Sequence, residues 1–146
     1  MAVVSRPGLG QSGGMIFVDM WKSLRALPFW VQIWVVVILV PVNFAALLFW
    51  DAAYGRLVGF LAAFAVLVNV VPLFRDRGFS KAMALSHVVL WIPLVALIVW
   101  LLWQGGVVGG YVWFLWLLLL VDGISLAFDI PDAWKWWQGD RKPAGD

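Results

Sequence analysis

The sequence predicts an all-α membrane protein, an antiparallel bundle of four transmembrane helices with a short interfacial helix at each end. Two observations predict this class. Of the 146 residues, 64% are hydrophobic and 12% are charged, and the mean hydropathy is +0.96, whereas a soluble domain carries about 25% charged residues. The hydrophobic residues also fall into four runs, and each is long enough to cross a hydrocarbon core of about 30 Å.

Two segments precede the first hydrophobic run. Residues 1–14, MAVVSRPGLGQSGG, are rich in Gly and Ser and predict a disordered N-terminal tail. Met15 offers an alternative start to Met1. Residues 15–27, MIFVDMWKSLRAL, combine large apolar side chains with two cations. That combination predicts an interfacial amphipathic helix that leads into the membrane.

The four runs are predicted to be the transmembrane spans. They cover about residues 28–50, 54–74, 81–104 and 108–130. The connections between them are short, which makes neighbouring helices antiparallel. The first run is too long for the hydrophobic part of a secretory signal and lacks a clear cleavage site, so no signal peptide is predicted.

The segment 131–146 follows the last span. Pro131 suits the first position of a new helix and Gly139 suits its end. The sequence therefore predicts a separate interfacial helix over about 131–138, followed by a basic C-terminal tail.

The basic residues predict the orientation. Nine of the ten Lys and Arg lie in the N-terminal segment, the second connection or the C-terminal segment, and only Arg56 lies elsewhere. Cytoplasmic segments of membrane proteins carry this excess, so we expect a multi-pass protein of the bacterial inner (plasma) membrane with both termini cytoplasmic. Tryptophans near the span ends are expected to anchor the helices at the two interfaces. They are Trp30, Trp134, Trp136 and Trp137 on the cytoplasmic side, and Trp50, Trp103 and Trp113 on the other.

Polar residues within spans are costly and need partners. Counted at a rise of about 1.5 Å per residue, five of them fall in the cytoplasmic half and are predicted to form one buried polar layer: Asn69, Ser86, His87, Asp122 and Ser125. Asp122 is expected to pair with His87, and Asn69 is a further candidate. Two roles remain open, namely an interhelical hydrogen bond worth about 0.6 kcal/mol or a site that handles protons or ions.

Small residues and a proline give two further expectations. Gly55, Gly59 and Ala63 are spaced four residues apart and predict a close helix contact, either within the bundle or with another chain. Asn43, beside Pro41, is expected to bond to a carbonyl that the proline leaves free.

Several classes of site are not supported. The chain has no Cys, so neither disulfides nor thiolate metal sites are predicted, and a net charge of +2 indicates no nucleic-acid partner. A Ser125–His87 hydrolase would need an oxyanion hole that the sequence does not supply. We therefore expect no enzyme, no catalytic residue and no metal site. His87 as a ligand of haem or of a chlorophyll-type pigment is an alternative, although a lone His is more often hydrogen-bonded.

Two stretches in the second half of the chain resemble a known family. GFSKAMALSHVVLWIP (78–93) and DGISLAFDIPDAWKWWQGDR (122–141) resemble a family of uncharacterised small four-span inner-membrane proteins of proteobacteria, with GF…GH…W.P in the third span and NAISLV.D..D..RY.RGDR at the end of the fourth. The chain departs from this pattern with Asp122 in place of Asn and with Trp136–Trp137. The resemblance implies location and architecture, but no reaction. The matching residues are Gly78, Phe79, His87, Trp91, Pro93, Ile124, Ser125, Leu126, Asp129, Asp132, Gly139, Asp140 and Arg141.

The function expected from these observations is that of a non-catalytic accessory or scaffold subunit of a larger bacterial inner-membrane complex (respiratory, photosynthetic or transport). Its expected partners are membrane lipids and either other integral membrane subunits or further copies of itself. The alternatives are a small oligomeric transporter or channel that uses the His87–Asp122 layer, and a haem- or pigment-ligating subunit that uses His87.

Overall fold

Four long apolar helices form a bundle, and one further helix precedes them. The computed structural model describes residues 9–142, and side-chain environments from residue 13. A first helix, α1, covers Leu9–Ala26. The four helices that are long and apolar enough to cross a membrane are α2 (Phe29–Phe49), α3 (Gly55–Arg75), α4 (Lys81–Gln104) and α5 (Gly110–Trp137). The predicted all-α bundle with four candidate spans is thus confirmed, because long apolar runs determine where helices can lie in a membrane.

Helix α1 differs from the prediction at its start. It begins at Leu9, so residues 9–14 of the predicted disordered tail are helical, and residues 1–8 lie outside the described part of the chain. Helix extension is cooperative, since each added residue gains a hydrogen bond once a nucleus exists, and the apolar segment 15–27 supplies that nucleus. Ser23 of α1 is buried, and its Oγ accepts a hydrogen bond of 2.9 Å from the backbone N–H of Phe79.

Helix α5 continues past the proline that was predicted to start a new helix. It remains helical through Pro131 to Trp137, so the separate interfacial helix over 131–138 is wrong. A proline removes only its own N–H bond and crowds one carbonyl, here that of Ala127. Both residues are exposed near the helix end, where other groups can satisfy the freed carbonyl. The continuation adds seven residues beyond residue 130, or about 10 Å of helix.

The core lies mainly between α4 and α5, which form the largest interface in the bundle. Helix α3 approaches α2 through the predicted small residues. A Cβ atom on Gly55 would lie 1.8 Å from the Phe49 carbonyl oxygen, and one on Gly59 would lie 3.2 Å from the Leu47 side chain. Ala63 is buried as well. The sequence allowed these small residues to contact either another helix of the bundle or another chain. The structure therefore contains the contact within the chain.

Helix α2 is irregular. It contains a π-helical segment at Trp34–Leu39 and ends in a 3₁₀ turn. Pro41 lies two residues after the end of the π segment, and prolines and π-bulges commonly occur where the regular bonding ladder is interrupted. The Asn43 side chain donates to the Leu39 carbonyl over 3.1 Å. That carbonyl lies four residues before Asn43, whereas the one that Pro41 would leave free in a regular helix is that of Val37, so the expectation for Asn43 is corrected.

Ion pairs gather α1, the α3–α4 connection and the end of α5 at one end of the bundle, which we call the basic end. Arg77 lies 3.9 Å from Asp19 of α1, and Lys81 lies 2.7 Å from Asp140. Trp136 stacks under Arg141 at 4.5 Å, while the other predicted anchors are exposed. Their role as interfacial anchors remains a prediction.

Candidate functional site

Three polar pairs join helices inside the described part of the bundle, namely Asn43–Asp122, Trp34–Ser125 and His87–Asp129, and the deepest is Asn43–Asp122. The Asn43 Nδ2 donates to the Asp122 Oδ1 over 2.8 Å, and both residues are 0% exposed. The predicted pairing of Asp122 with His87 is therefore wrong.

The error comes from the length of α5. Fifteen residues separate Pro28 from Asn43, and fifteen separate Asp122 from Trp137, so at 1.5 Å per residue both lie about 22 Å from the basic end. The prediction counted from residue 130 and placed Asp122 at about 12 Å. Once α5 is known to continue through Pro131, Asn43 is the residue at the same depth.

The Asn43–Asp122 pair is incompletely satisfied. Within the part of the chain that the structure describes, Asp122 Oδ2 and Asn43 Oδ1 have no hydrogen-bond partner. Both amide protons of Asn43 are used, because the same Nδ2 also donates to the Leu39 carbonyl. A buried polar pair of this kind fixes one helix against another, since any other register leaves both groups unpaired in an apolar layer. The pair therefore sets the position of α2 against α5.

A shallower pair is His87–Asp129. The His87 Nδ1 lies 2.9 Å from the Asp129 Oδ2, and the ring stacks on Trp91 with centroids 3.9 Å apart and planes at 16°. The depths agree here too, because His87 is six residues from Lys81 and Asp129 is eight from Trp137. Asp129 is thus the carboxylate that orients the histidine ring.

The remaining members of the predicted polar layer bond elsewhere. Ser125 Oγ accepts a hydrogen bond of 3.0 Å from the Trp34 indole N–H. Asn69 and Ser86 donate to carbonyls of their own helices, those of Ala65 and Ala82. Short polar side chains in helices often bond back in this way. The five residues therefore do not form one connected layer.

A cleft of about 730 Å³ opens at the basic end between the start of α2, the start of α4 and the end of α5. His87, Ser125 and Asp129 line it, so the His87–Asp129 pair faces this space. At the edge of the cleft, the ring centroids of Trp30 and Phe128 lie 5.8 Å apart. The aliphatic part of the wall consists of Leu27, Val31, Val35, Leu39, Met83 and Ala84.

Two ion pairs lie at the mouth of the cleft. Asp140 lies 2.7 Å from Lys81, and the hydrogen bond from Lys81, with a smaller contribution from Lys142, holds the pKa of the Asp140 carboxyl below its usual range. Asp132, which also lines the cleft, lies 3.5 Å from the Lys135 ammonium. The cleft therefore combines apolar walls with a polar end at which two carboxylates each have a lysine partner.

The sequence identified most of the polar residues of the site but not their hydrogen-bond partners. Asn43 and Gln32 are the polar side chains of the first run, and a depth count from Trp137 would have paired Asn43 with Asp122. Asp132 continues the helical spacing of Asp122, Ser125 and Asp129 along one face, which is a signal that α5 continues past Pro131. No sequence signal identified Trp34 as the donor to Ser125.

Comparisons of the chain with protein-family models, with curated proteins and with solved structures give no match. The function is therefore argued from the cleft and its hydrogen bonds.

Proposed function

We propose that this protein is a non-catalytic accessory subunit of a bacterial inner-membrane assembly, which holds an amphiphilic molecule in the cleft at its basic end. In this proposal the basic end faces the cytoplasm, as the distribution of Lys and Arg predicts. The observation that supports it is the cleft itself, whose apolar walls end in the His87–Asp129 pair.

The dimensions of the cleft suit the binding of one part of a molecule as large as a lipid. Its volume of about 730 Å³ falls within the range of small-molecule sites, which are mostly apolar with a few placed polar groups. The aliphatic wall suits a hydrocarbon chain, and Trp30 and Phe128 offer aromatic faces at the rim. An amphiphile could place its head at the polar end and leave the rest of its chain in the bilayer.

The hydrogen bonds favour binding over the catalytic alternative. A serine nucleophile needs its base within hydrogen-bond reach, whereas the Ser125 hydroxyl is bonded to Trp34 and the His87 ring to Asp129. The transporter alternative relied on a shared His87–Asp122 layer, and these two residues have different partners. Haem or pigment ligation by His87 stays a prediction.

The test is gentle extraction of the protein from its native membrane, followed by mass spectrometry of the proteins and small molecules that co-purify and by a scan for visible absorbance. We expect a partner subunit at fixed stoichiometry and a co-extracted amphiphile. Ala84→Phe, which fills the cleft, should lose the amphiphile, whereas Ala96→Phe, on the exposed face of the same helix, should retain it. A homogeneous self-assembly without partner or amphiphile would contradict the proposal, and a visible band would favour the pigment alternative.

A further inference from the structure

We propose that the cleft selects a neutral amphiphile whose head carries a hydroxyl group, and that this hydroxyl donates its proton to the Nε2 of His87. This inference rests on the proposed function, since it identifies the chemical class of the amphiphile. Three features of the cleft lead to it: the orientation of the histidine, the bonding of Ser125 and the pairing of the charges.

Asp129 determines which nitrogen of His87 is left to accept a hydrogen bond. A neutral imidazole has one donor nitrogen and one acceptor nitrogen, and an ionised carboxylate can only accept. The proposal takes His87 as neutral and Asp129 as ionised, and with Nδ1 at 2.9 Å from the Asp129 carboxylate the ring proton then belongs on Nδ1. Nε2 then presents a lone pair in a residue that lines the cleft, and it has no hydrogen-bond donor among residues 13–142. A ligand that bonds there must supply a proton of its own.

Ser125 supplies the complementary group. Its oxygen already accepts the indole N–H of Trp34 over 3.0 Å, so its own O–H remains available to donate. The cleft thus offers one acceptor, on His87, and one donor, on Ser125. An alcohol or phenol both donates and accepts through a single oxygen, whereas a ketone or an ether can only accept.

The charges argue against an ionic head. Three carboxylates and two lysines line the cleft, and the Lys81 ammonium is already paired with Asp140, so a phosphate would meet more negative than positive lining groups. Asp132 is paired with Lys135, while Asp129 bonds to a histidine that is neutral in this proposal. A phosphate would therefore have to displace Asp140 from Lys81, and an ammonium has no lone pair with which to accept from Ser125. A hydroxyl displaces no ion pair and both donates and accepts.

Hydroxyl-headed amphiphiles of two kinds fit this chemistry, a diacylglycerol and a quinol with an apolar tail. The experiment measures binding to the purified full-length protein in detergent by native mass spectrometry. The probes are 1,2-dioleoylglycerol, its 3-O-methyl ether, dioleoyl phosphatidic acid, decylubiquinol and decylubiquinone. Each hydroxyl compound should bind about five-fold or more tightly than its counterpart without the hydroxyl proton, the effect of one buried hydrogen bond. The compound that binds better, glyceride or quinol, identifies the source.

Matched variants test the role of each residue. His87→Phe keeps an aromatic ring against Trp91 and should abolish the preference for the hydroxyl. Asp129→Asn should weaken the preference for the hydroxyl. An amide can donate to Nδ1 as well as accept from it, so the ring proton would no longer be held on Nδ1. Asp51→Asn makes the same change at the opposite end of the bundle, away from the cleft, and should retain the preference.

The outcomes separate this inference from the proposed function. Equal binding of the alcohol and its methyl ether, or tighter binding of phosphatidic acid, would overturn the inference and leave an amphiphile-binding protein. Failure of the wild-type protein to bind any of the five probes would overturn both. The wild-type comparison requires no variant to fold, so it decides the matter even if His87→Phe or Asp129→Asn is unstable.

Discussion

The glycine at the start of α3 gives a sharp test of how closely α2 and α3 pack. In Gly55→Ala the new Cβ would lie 1.8 Å from the carbonyl oxygen of Phe49 and 2.9 Å from its carbonyl carbon, while ordinary contact begins at 3.4 Å. The end of α2 would have to move by about 1.6 Å, the difference between these distances. The obstacle is backbone, so no side-chain rotation can relieve it.

The magnitude follows from two opposing effects. Overpacking of this kind costs about 1–3 kcal/mol, and a backbone obstacle argues for the upper end of that range. Replacing Gly by Ala in a helix gains about 1 kcal/mol. We therefore expect Gly55→Ala to lower the free energy of unfolding by about 2 kcal/mol.

Two further glycines complete the series. Gly59→Ala meets the Leu47 side chain at 3.2 Å and the Ala46 carbonyl oxygen at 3.3 Å, which a shift of a few tenths of an ångström relieves, so its effect should be close to zero. Gly123→Ala in α5 meets nothing within 4 Å and should stabilise the protein by up to about 1 kcal/mol.

The assay is reversible unfolding in mixed micelles by titration with sodium dodecyl sulfate, followed by circular dichroism and tryptophan fluorescence. The expected order of stability is Gly123→Ala, wild type and Gly59→Ala together, then Gly55→Ala. If Gly55→Ala were as stable as Gly123→Ala, α3 would not approach α2 as closely as described. The small residues Gly55, Gly59 and Ala63 would then have to form a contact with another chain.

Three other predictions use the same kinds of measurement. Asn43→Leu removes the donor to Asp122 and should cost about 2 kcal/mol, whereas Asp122→Asn keeps an acceptor for Asn43 and should cost less than about 1 kcal/mol; the reverse order in the detergent titration would contradict the pairing. Pro131→Ala should stabilise α5 by about 1 kcal/mol by restoring a backbone bond, and a loss of stability would mean that the proline ring itself is needed. The hydrogen bond from Arg75 lowers the pKa of Asp76, so this ion pair should stabilise the α3–α4 connection above about pH 4 and lose that effect as the pH falls through the lowered pKa. The protection of amides in that connection, measured as the exchange rate relative to the intrinsic rate at the same pH, should therefore fall in acid, and Asp76→Asn should lower this protection at neutral pH as well.

Hydropathy was sufficient to locate the four long helices. The starts and ends of α2, α3 and α4 differ from the prediction by one residue at most, because a run of apolar residues between polar connections has few alternatives in a membrane. The small residues Gly55 and Gly59 were equally predictable, since close helix contacts require them. The sequence could not decide between a contact within the chain and one with another chain.

Helix continuity could not be predicted, and the errors in the site follow from it. Pro131 is a helix start in most contexts, yet here it lies inside α5. That one misplaced boundary moved Asp122 by seven residues and assigned it the wrong partner. The pairing of Ser125 with Trp34 depends on how α2 faces α5, and this orientation is a tertiary property that no local pattern of the sequence encodes.

The π-helical segment of α2 has a consequence for the phase of that helix. Trp34 and Asn43 are nine residues apart, and at about 100° per residue an unbroken α-helix would point them in opposite directions. Both nevertheless bond to α5, at Ser125 and Asp122. The extra residue in a π turn changes the phase by about 100°, which brings the two side chains towards the same side. Deleting one residue from the segment 34–39 would give a more regular helix that could reach only one of its two partners on α5.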